Sequence, residues 1–181
     1  MHFSHDLAEA VAFAELIFLA LPSPELEDGV ADLSYVLQVS KEIAALATEY
    51  KIIVNKSTEP VGTTRQVQDL FDTTCAVSLD VVANPEFLKE GFAVQDFMKH
   101  QRVVIGSSSE HAIAQLQKLY APYMRTGNRY QIMDYVSAEL TKYASNAFLA
   151  TKISFMNEIA NYCELVGANV DQVRQGMGSD D

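Results

Sequence analysis

Two pairs of polar residues have types and spacings that suit chemistry. Glu86 and Glu90 are four residues apart, as are Lys142 and Asn146, so on a helical turn each pair shares a face. Two carboxyl groups held together can separate in pKa and act as acid and base. A lysine and an amide on one helix face can hold a hydroxyl group and stabilise the oxyanion that it becomes. These residue types therefore indicate proton transfer and oxyanion stabilisation.

Spacing alone leaves a second interpretation open for each pair. Glu86 and Glu90 also fit two solvated glutamates that flank a lysine, and spacing by itself favours this interpretation. Lys142 also fits a side chain at an exposed helix end whose ammonium reaches water. An ammonium buried in an apolar helix without a partner would be costly. The choice depends on the elements that position these residues.

Short apolar runs alternate with amphipathic stretches along the chain, which is typical of βαβ units and a parallel sheet. Residues 137–166 contain no Pro or Gly and predict one long helix, with Gly167 as its C-cap. Its middle, residues 143–155, is apolar or small on nearly every face and is expected to be buried. The predicted strands cover residues 16–21, 52–54, 77–83, 103–105 and 129–132.

The candidate residues follow the ends of three successive predicted strands. Ligands of open α/β sheets bind beyond the carboxyl ends of the strands. The first strand is followed by Pro22, Ser23 and Pro24, the second by residues 56–58, and the third by residues 84–91. Strand ends are commonly polar and proline-rich even without a function. This explains the prolines well, but it explains the pair of spaced glutamates less well. We therefore expect the site at this edge of the sheet.

Composition excludes several classes of function. The chain of 181 residues has 24 acidic and 13 basic residues and a net charge of −11, which argues against nucleic-acid binding. Its lysines and arginines are scattered, no apolar stretch is long enough to cross a bilayer, and no signal peptide is evident, so we expect a cytoplasmic protein without a membrane partner. Cys75 and Cys163 are isolated and are interpreted as small structural hydrophobes. The scattered histidines predict no metal site.

Four motifs, in order and over almost the whole chain, resemble the UDP-glucose/GDP-mannose dehydrogenase family. Residues 56–63 (KSTEPVGT) are close to the family's KSTVPVGT, and residues 84–91 match NPEFLxEG. They are followed by residues 102–106 (RVVIG) and residues 139–150 (ELTKYASNAFLA), with Asn157-Glu158 beyond them. The glycine after Glu90 resembles the UDP-glucose branch. The resemblance implies an α/β fold: the second half of a Rossmann-like parallel-sheet domain followed by a long connecting α-helix.

The resemblance also implies an activity, which is oxidation of the sugar C6 alcohol of UDP-glucose to a carboxylate with two NAD⁺. By position, Thr58 and Glu86 would order a catalytic water and assist proton transfer, while Lys142, with Asn146 beside it, would stabilise the oxyanion. The implied substrate residues are Glu86, Phe87, Leu88, Glu90, Lys142 and Asn146, and the implied cofactor residues are Pro22, Ser23, Pro24, Ser57, Thr58 and Glu90. Two alternatives stay open. One is a related dehydrogenase of GDP-mannose or UDP-N-acetyl-mannosamine, and the other is a non-catalytic sugar-nucleotide-binding or dimerisation module.

The departures from the family pattern give further expectations. The 181 residues contain no G-x-G-x-x-G turn, which the family uses to bind the dinucleotide, and neither cysteine has the context of the family's nucleophile. We expect residues 1–133 to be a partial dinucleotide-binding domain and residues 134–181 to be a long helix that starts a middle domain. A segment truncated at both ends should be inactive alone, and its exposed strand at residues 16–21 should favour a homodimer or other self-association. Glu59, in place of the usual valine, and Pro22, in place of glycine or asparagine, are smaller departures.

Overall fold

The computed structural model of the protein describes residues 2–89, 91–98 and 100–179. These form two compact units, Met1–Lys142 and Tyr143–Asp181. The boundary between the units falls inside the long helix, whereas sequence analysis divides the domains after residue 133, a division that stays a prediction. The elements of the first unit are α1 (Leu7–Phe13), β1 (Leu16–Leu19), α2 (Ser34–Leu46), β2 (Lys51–Asn55), α3 (Thr63–Thr74), β3 (Leu79–Ala83), α4 (Ala93–Met98), β4 (His100–Gly106), α5 (Glu110–Tyr120), a 3-10 turn (Ala121–Tyr123), β5 (Met124–Met133) and the start of α6 (Tyr135–Val166).

The sheet has five strands in the order β1-β2-β3-β4-β5. Strands β1, β2 and β3 are parallel, as are β4 and β5, which confirms the predicted α/β class. One neighbour pair differs from the predicted parallel sheet, because β3 and β4 meet in antiparallel direction through Ala83 and Gly106. The described part of the link between these two strands contains one helix, α4, of six residues.

The strands at the centre of the sheet are buried on both faces. Ile53 packs in a cluster with residues of α2 and α3, while its neighbours Ile52 and Val54 pack in a second cluster with residues of α5. All three side chains are fully buried. Successive residues of a strand point to opposite faces, so a continuous apolar run is what a strand covered by helices on both sides requires. This layering holds the strand ends in fixed register.

The second unit contains the rest of α6 and α7 (Val170–Met177). Here the expected burial of residues 143–155 is wrong, because Phe148, Leu149 and Ile153 are between 55% and 62% exposed. Within residues 143–179 only these two helices are described, and they provide no sheet to cover a helix that is apolar all round. Gly167 ends α6 with a positive φ of 76°, as expected of its C-cap position. No helix in the described ranges is long and apolar enough to cross a membrane.

Candidate active site

The three parallel strands bring their ends to one edge of the sheet. Lys56, after β2, donates its backbone N–H to the Leu19 carbonyl at the end of β1 (3.0 Å). Asn84, after β3, donates its backbone N–H to the Asn55 carbonyl at the end of β2 (2.9 Å). The loops that follow the strands therefore start side by side, at the place where open α/β sheets bind ligands.

Hydrogen bonds join the loops after β1 and β2. The Ser57 hydroxyl accepts from the Leu21 N–H (2.9 Å) and donates to the Leu21 carbonyl (2.8 Å). The Ser23 hydroxyl donates to the Thr58 carbonyl (3.0 Å), which fixes the Pro22-Ser23-Pro24 turn against residues 57–58. The loops that carry five of the residues expected at the cofactor side thus lie together, but the Ser57 hydroxyl already both donates to and accepts from the backbone of Leu21. Its observed contacts position the first loop.

The acid after β3 and the lysine on α6 form an ion pair. The Lys142 Nζ donates to Glu86 Oε1 at 2.9 Å, and the Lys142 residue is only 7% exposed. The other carboxylate oxygen of Glu86 accepts from the Leu88 N–H. A lysine that reaches water from an exposed helix end is therefore the wrong interpretation. Lys142 is a buried ammonium with a carboxylate partner, as its cost of burial requires.

The surroundings keep Glu86 ionised. Partial burial acts to raise the pKa of this carboxyl, but the Leu88 N–H, the hydrogen bond and charge of Lys142, and the charge of Lys56 together hold it below its ordinary value. The neighbouring Phe87 ring lies between two cations, with the Arg102 guanidinium at 4.3 Å and the Lys142 ammonium at 5.5 Å from its centroid. The ring face thus adds a further contact that stabilises the buried cation.

Lys56 is a second cation of this edge that sequence analysis gave no role. Its Nζ donates to Asn84 Oδ1 (3.2 Å), and the Tyr120 hydroxyl donates to the same oxygen (2.6 Å). Burial lowers the pKa of Lys56 to about 8, with Glu86 opposing and Lys142 adding to the shift. Its position directly after a buried strand was the available signal. The charges of both Lys56 and Lys142 therefore act to lower the pKa of the Glu86 carboxyl.

Glu139 connects the start of α6 to the start of α3. Its carboxylate accepts from the backbone N–H groups of Gly62 (2.6 Å) and Thr64 (2.7 Å). Gly62 adopts the left-handed conformation with φ 100°, which turns these N–H groups toward one point. A carboxylate at a helix N-terminus satisfies unpaired donors and the helix dipole. Since Glu139 precedes Lys142 by one helical turn, this contact sets the position of the lysine.

A small cavity of about 10 Å³ lies at the same edge. Thr58 and Lys142 contribute to its wall, which joins two of the residues expected to be catalytic. Glu59 also lies in the cavity wall and is 4% exposed. Burial raises the pKa of its carboxyl to about 7. The hydrogen bond from Asn55 opposes this shift, and the charge of Glu139 adds to it. The complete lining is Asn55, Ser57, Thr58, Glu59, Thr64, Ala83, Asn84, Pro85, Glu139 and Lys142.

Some expected site residues are not joined to this cluster. Glu90 lies outside the described residues. Asn146 belongs to the second compact unit and is exposed there, so its role beside Lys142 stays a prediction. Leu88 is half-buried and contributes its backbone N–H to Glu86. Within the residues that the structure describes, no group of three or more His, Cys, Asp or Glu side chains could hold a metal ion.

This edge of the sheet therefore holds the Glu86–Lys142 ion pair, and Lys142 and Thr58 lie in the wall of the strand-end cavity. Residues 1–124 match the UDP-glucose/GDP-mannose dehydrogenase family, NAD binding domain, and residues 136–181 match its central domain. The first match supports NAD as the cofactor expected from the sequence.

Curated relatives and solved structures agree with both matches. A UDP-glucose 6-dehydrogenase of Pseudomonas aeruginosa is 49% identical over 98% of this chain and 40% of its own length, and one from Bacillus subtilis is 46% identical over 98% and 38%. A UDP-glucose dehydrogenase structure from Pyrobaculum islandicum (TM-score 0.88, 37% identity) and a GDP-mannose dehydrogenase ternary complex from Pseudomonas aeruginosa (TM-score 0.86, 27% identity) each cover 98% of this chain and 42% of theirs. The chain thus spans about 40% of the length of the curated relatives it matches, and it belongs to the UDP-glucose/GDP-mannose dehydrogenase family.

Proposed function

We propose that this chain carries sugar-side catalytic groups of an NAD-dependent UDP-glucose 6-dehydrogenase. The observation that supports this most directly is the 2.9 Å contact between Glu86 and the buried Lys142, which come from distant parts of the sequence. Similarity favours UDP-glucose as the substrate, because the UDP-glucose 6-dehydrogenase of Pseudomonas aeruginosa is 49% identical and the GDP-mannose dehydrogenase structure only 27%. The reaction would oxidise the C6 alcohol to an aldehyde and then to a carboxylate.

The chemistry proposed for each residue follows from its charge and burial. NAD, when bound, accepts the hydride in each oxidation. The Lys142 ammonium, which is buried and fixed by Glu86, would stabilise the oxyanion that develops on the sugar oxygen. Glu86, kept ionised by its neighbours, would accept a proton and, with Thr58, order a water for the second oxidation. Phe87, Leu88, Glu90 and Asn146 would complete the substrate site.

The loop after β1 fits the proposed cofactor side. Pro22, Ser23 and Pro24 follow a strand end and are tied to residues 57–58, so they form a pre-positioned wall beside the catalytic cluster. Such a position suits a nicotinamide dinucleotide in an α/β sheet. The chain is acidic overall, so binding of its phosphates would depend on local groups; Lys56 is the nearest cation identified at this edge.

A hybrid enzyme tests the proposal directly. This chain would replace the matching segment of the Pseudomonas aeruginosa UDP-glucose 6-dehydrogenase, to which it is 49% identical. We expect NADH formation with UDP-glucose and much less with GDP-mannose or UDP-N-acetyl-mannosamine. A folded hybrid that prefers another nucleotide sugar, or that shows no turnover although it binds UDP-glucose, would contradict the proposal.

The 181 residues by themselves should behave differently. We expect negligible turnover and weak NAD binding, because this stretch contains neither a G-x-G-x-x-G turn nor a cysteine in the expected context. Incubation of the purified chain with UDP-glucose and NAD, followed by absorbance of NADH, checks the first expectation. A thermal shift with UDP-glucose checks whether the substrate side alone retains affinity.

Self-association forms the last part of the proposal. Strand β1 pairs only with β2 in the described sheet, and Phe18 on it is 39% exposed, so an apolar edge is available for another chain. A homodimer is therefore expected at high concentration. A monomer by light scattering at the highest attainable concentration would argue against this part without affecting the catalytic assignment.

A further inference from the structure

Three buried oxygen atoms converge on the small cavity of the first unit. Within the residues that the structure describes, Asn55 Oδ1, Glu59 Oε1 and Thr64 Oγ1 have no hydrogen-bond partner. Their residues are 4%, 4% and 0% exposed, and all three line the same cavity of about 10 Å³. They come from β2, from the loop after it and from the first turn of α3.

The size and polarity of the cavity restrict what it can bind. A buried polar atom that stays unpaired is destabilising, so three such atoms around one space indicate an occupant that bonds to all of them. A cavity of roughly 10–15 Å³ with two to four polar partners is what a single buried water requires. A nucleotide or a sugar is far too large for this space. The chemistry of the lining therefore selects water.

The carboxyl of Glu59 lacks the cation that its neighbour Glu86 has. Its Oε2 accepts from Asn55 Nδ2, whereas in the described contacts the ammonium of Lys142 bonds to Glu86 and that of Lys56 to Asn84. The charged groups nearest to it in the cavity wall are Glu139, which opposes ionisation, and Lys142. Burial without a cationic partner favours the neutral acid.

We propose that Asn55, Glu59 and Thr64 bind one buried water molecule, and that Glu59 holds a proton with which it donates to that water. The Glu59 Oε1–H and the Thr64 Oγ1–H then donate to the water oxygen, and the water donates to Asn55 Oδ1. Every unpaired atom gains a partner in this arrangement. The raised pKa of Glu59, about 7, is consistent with it.

This site is a property of the present chain rather than of the motif that it resembles. Glu59 stands where the motif has valine. A valine side chain can neither donate to the water nor accept from Asn55. The inference does not depend on the proposed catalytic function, and its test uses no activity measurement.

NMR spectroscopy of the chain tests both parts of the proposal. Carbon-13 titration of the side-chain carboxyls should show one resonance, absent from Glu59→Gln, whose midpoint lies well above 4.5, the ordinary pKa of a glutamate. The Thr64 amide proton should show a cross-relaxation signal to a long-lived water. We expect this signal to persist in Glu59→Gln, whose amide can still donate, and to be lost in Glu59→Leu.

Three results would overturn the proposal. A Glu59 titration midpoint at the ordinary pKa of a glutamate would contradict the bound proton, and the absence of a long-lived water in the unsubstituted chain would contradict the water site. A melting temperature that rises with NaCl or KCl, but not with choline chloride at equal ionic strength, would assign the cavity to a cation. The comparison of Glu59→Gln with the unsubstituted chain remains valid even if Glu59→Leu fails to fold.

Discussion

Two carboxyl groups follow neighbouring strands at the same edge of the sheet, yet their pKa values move in opposite directions. Glu86, after β3, bonds to the Lys142 ammonium and the Leu88 N–H, and its pKa is lowered. Glu59, after β2, bonds to the neutral Asn55 amide, and burial raises its pKa to about 7. Desolvation raises the pKa of both acids. The partner decides which protonation state the fold stabilises.

This difference separates two tasks within a short stretch of structure. An acid kept ionised beside a cation can accept a proton, while a neutral acid can donate a hydrogen bond in a dry cavity. Lys142 lies in the wall of the cavity that Glu59 faces, yet its ammonium bonds to Glu86. Substituting one partner of Glu86 or Glu59 at a time tests whether that partner decides the protonation state of the acid.

The largest effect is expected when Glu86 loses its cation. Lys142→Met in the hybrid enzyme should lower kcat by about 10²–10³-fold, as loss of a preorganised oxyanion donor does. In the chain alone, the pKa of Glu86 should rise, because the hydrogen bond and the charge of Lys142, which both lower it, are then removed. Steady-state kinetics with UDP-glucose and carboxyl titration by NMR measure the two effects. Lys152→Met, at an exposed lysine further along α6, is the control. Equal losses of kcat in both variants would contradict the role proposed for Lys142.

The second effect is a pH dependence of stability due to Glu59. Its pKa rises from 4.5 in the unfolded chain to about 7 in the fold, so its stabilising contribution is complete below pH 4.5 and is lost as the pH rises to about 7. The free energy of unfolding should fall by about 3 kcal/mol over this window relative to Glu59→Gln. Urea unfolding of both proteins from pH 4.5 to 8 measures the difference. A constant difference would show that Glu59 ionises normally.

Much of the fold followed from local patterns in the sequence. The apolar runs at 52–54 and 103–105, and residues 16–19 of the run at 16–21, are strands because successive residues such as Ile52 and Ile53 pack against opposite layers. Direction was harder to predict, since the antiparallel pairing of β3 and β4 through Ala83 and Gly106 is a tertiary contact that no local pattern indicates. The prediction that residues 143–155 are buried was wrong, because apolar composition shows that a helix could be buried but not which element would cover it.

The site was predictable only in part for a similar reason. Spacing places Glu86 after a strand and Lys142 on a helix, and the family resemblance suggested that they act together; their 2.9 Å contact is a fact of tertiary structure. No local pattern indicated that Glu139 would bond to two N–H groups more than seventy residues earlier. Lys56 was visible as a polar residue at a strand end, but its burial against Tyr120 and Asn84 was not.

A smaller effect is expected from Glu139, which influences both sides of the comparison. Glu139→Gln keeps one acceptor for the Gly62 and Thr64 N–H groups and leaves the other donor unpaired, so stability should fall by about 1–2 kcal/mol. Loss of its charge should also lower the pKa of Glu59, because Glu139 opposes ionisation of that acid. Urea unfolding and carboxyl titration measure both. Glu110→Gln, at an exposed glutamate in the first turn of α5, is the control, and an unchanged Glu59 titration would contradict the second part.

The smallest effect separates charge from contact at Glu86. Lys56 lowers the pKa of this acid by its charge, whereas Lys142 contributes a hydrogen bond as well. Lys56→Met should therefore raise the pKa of Glu86 by less than Lys142→Met does, while Lys41→Met, at an exposed position on α2, should leave it unchanged. Carbon-13 titration of the Glu86 carboxyl in the three variants gives the order directly. If Lys56→Met shifts Glu86 as far as Lys142→Met does, then the charge of the whole edge, and not the direct ion pair, keeps this acid ionised.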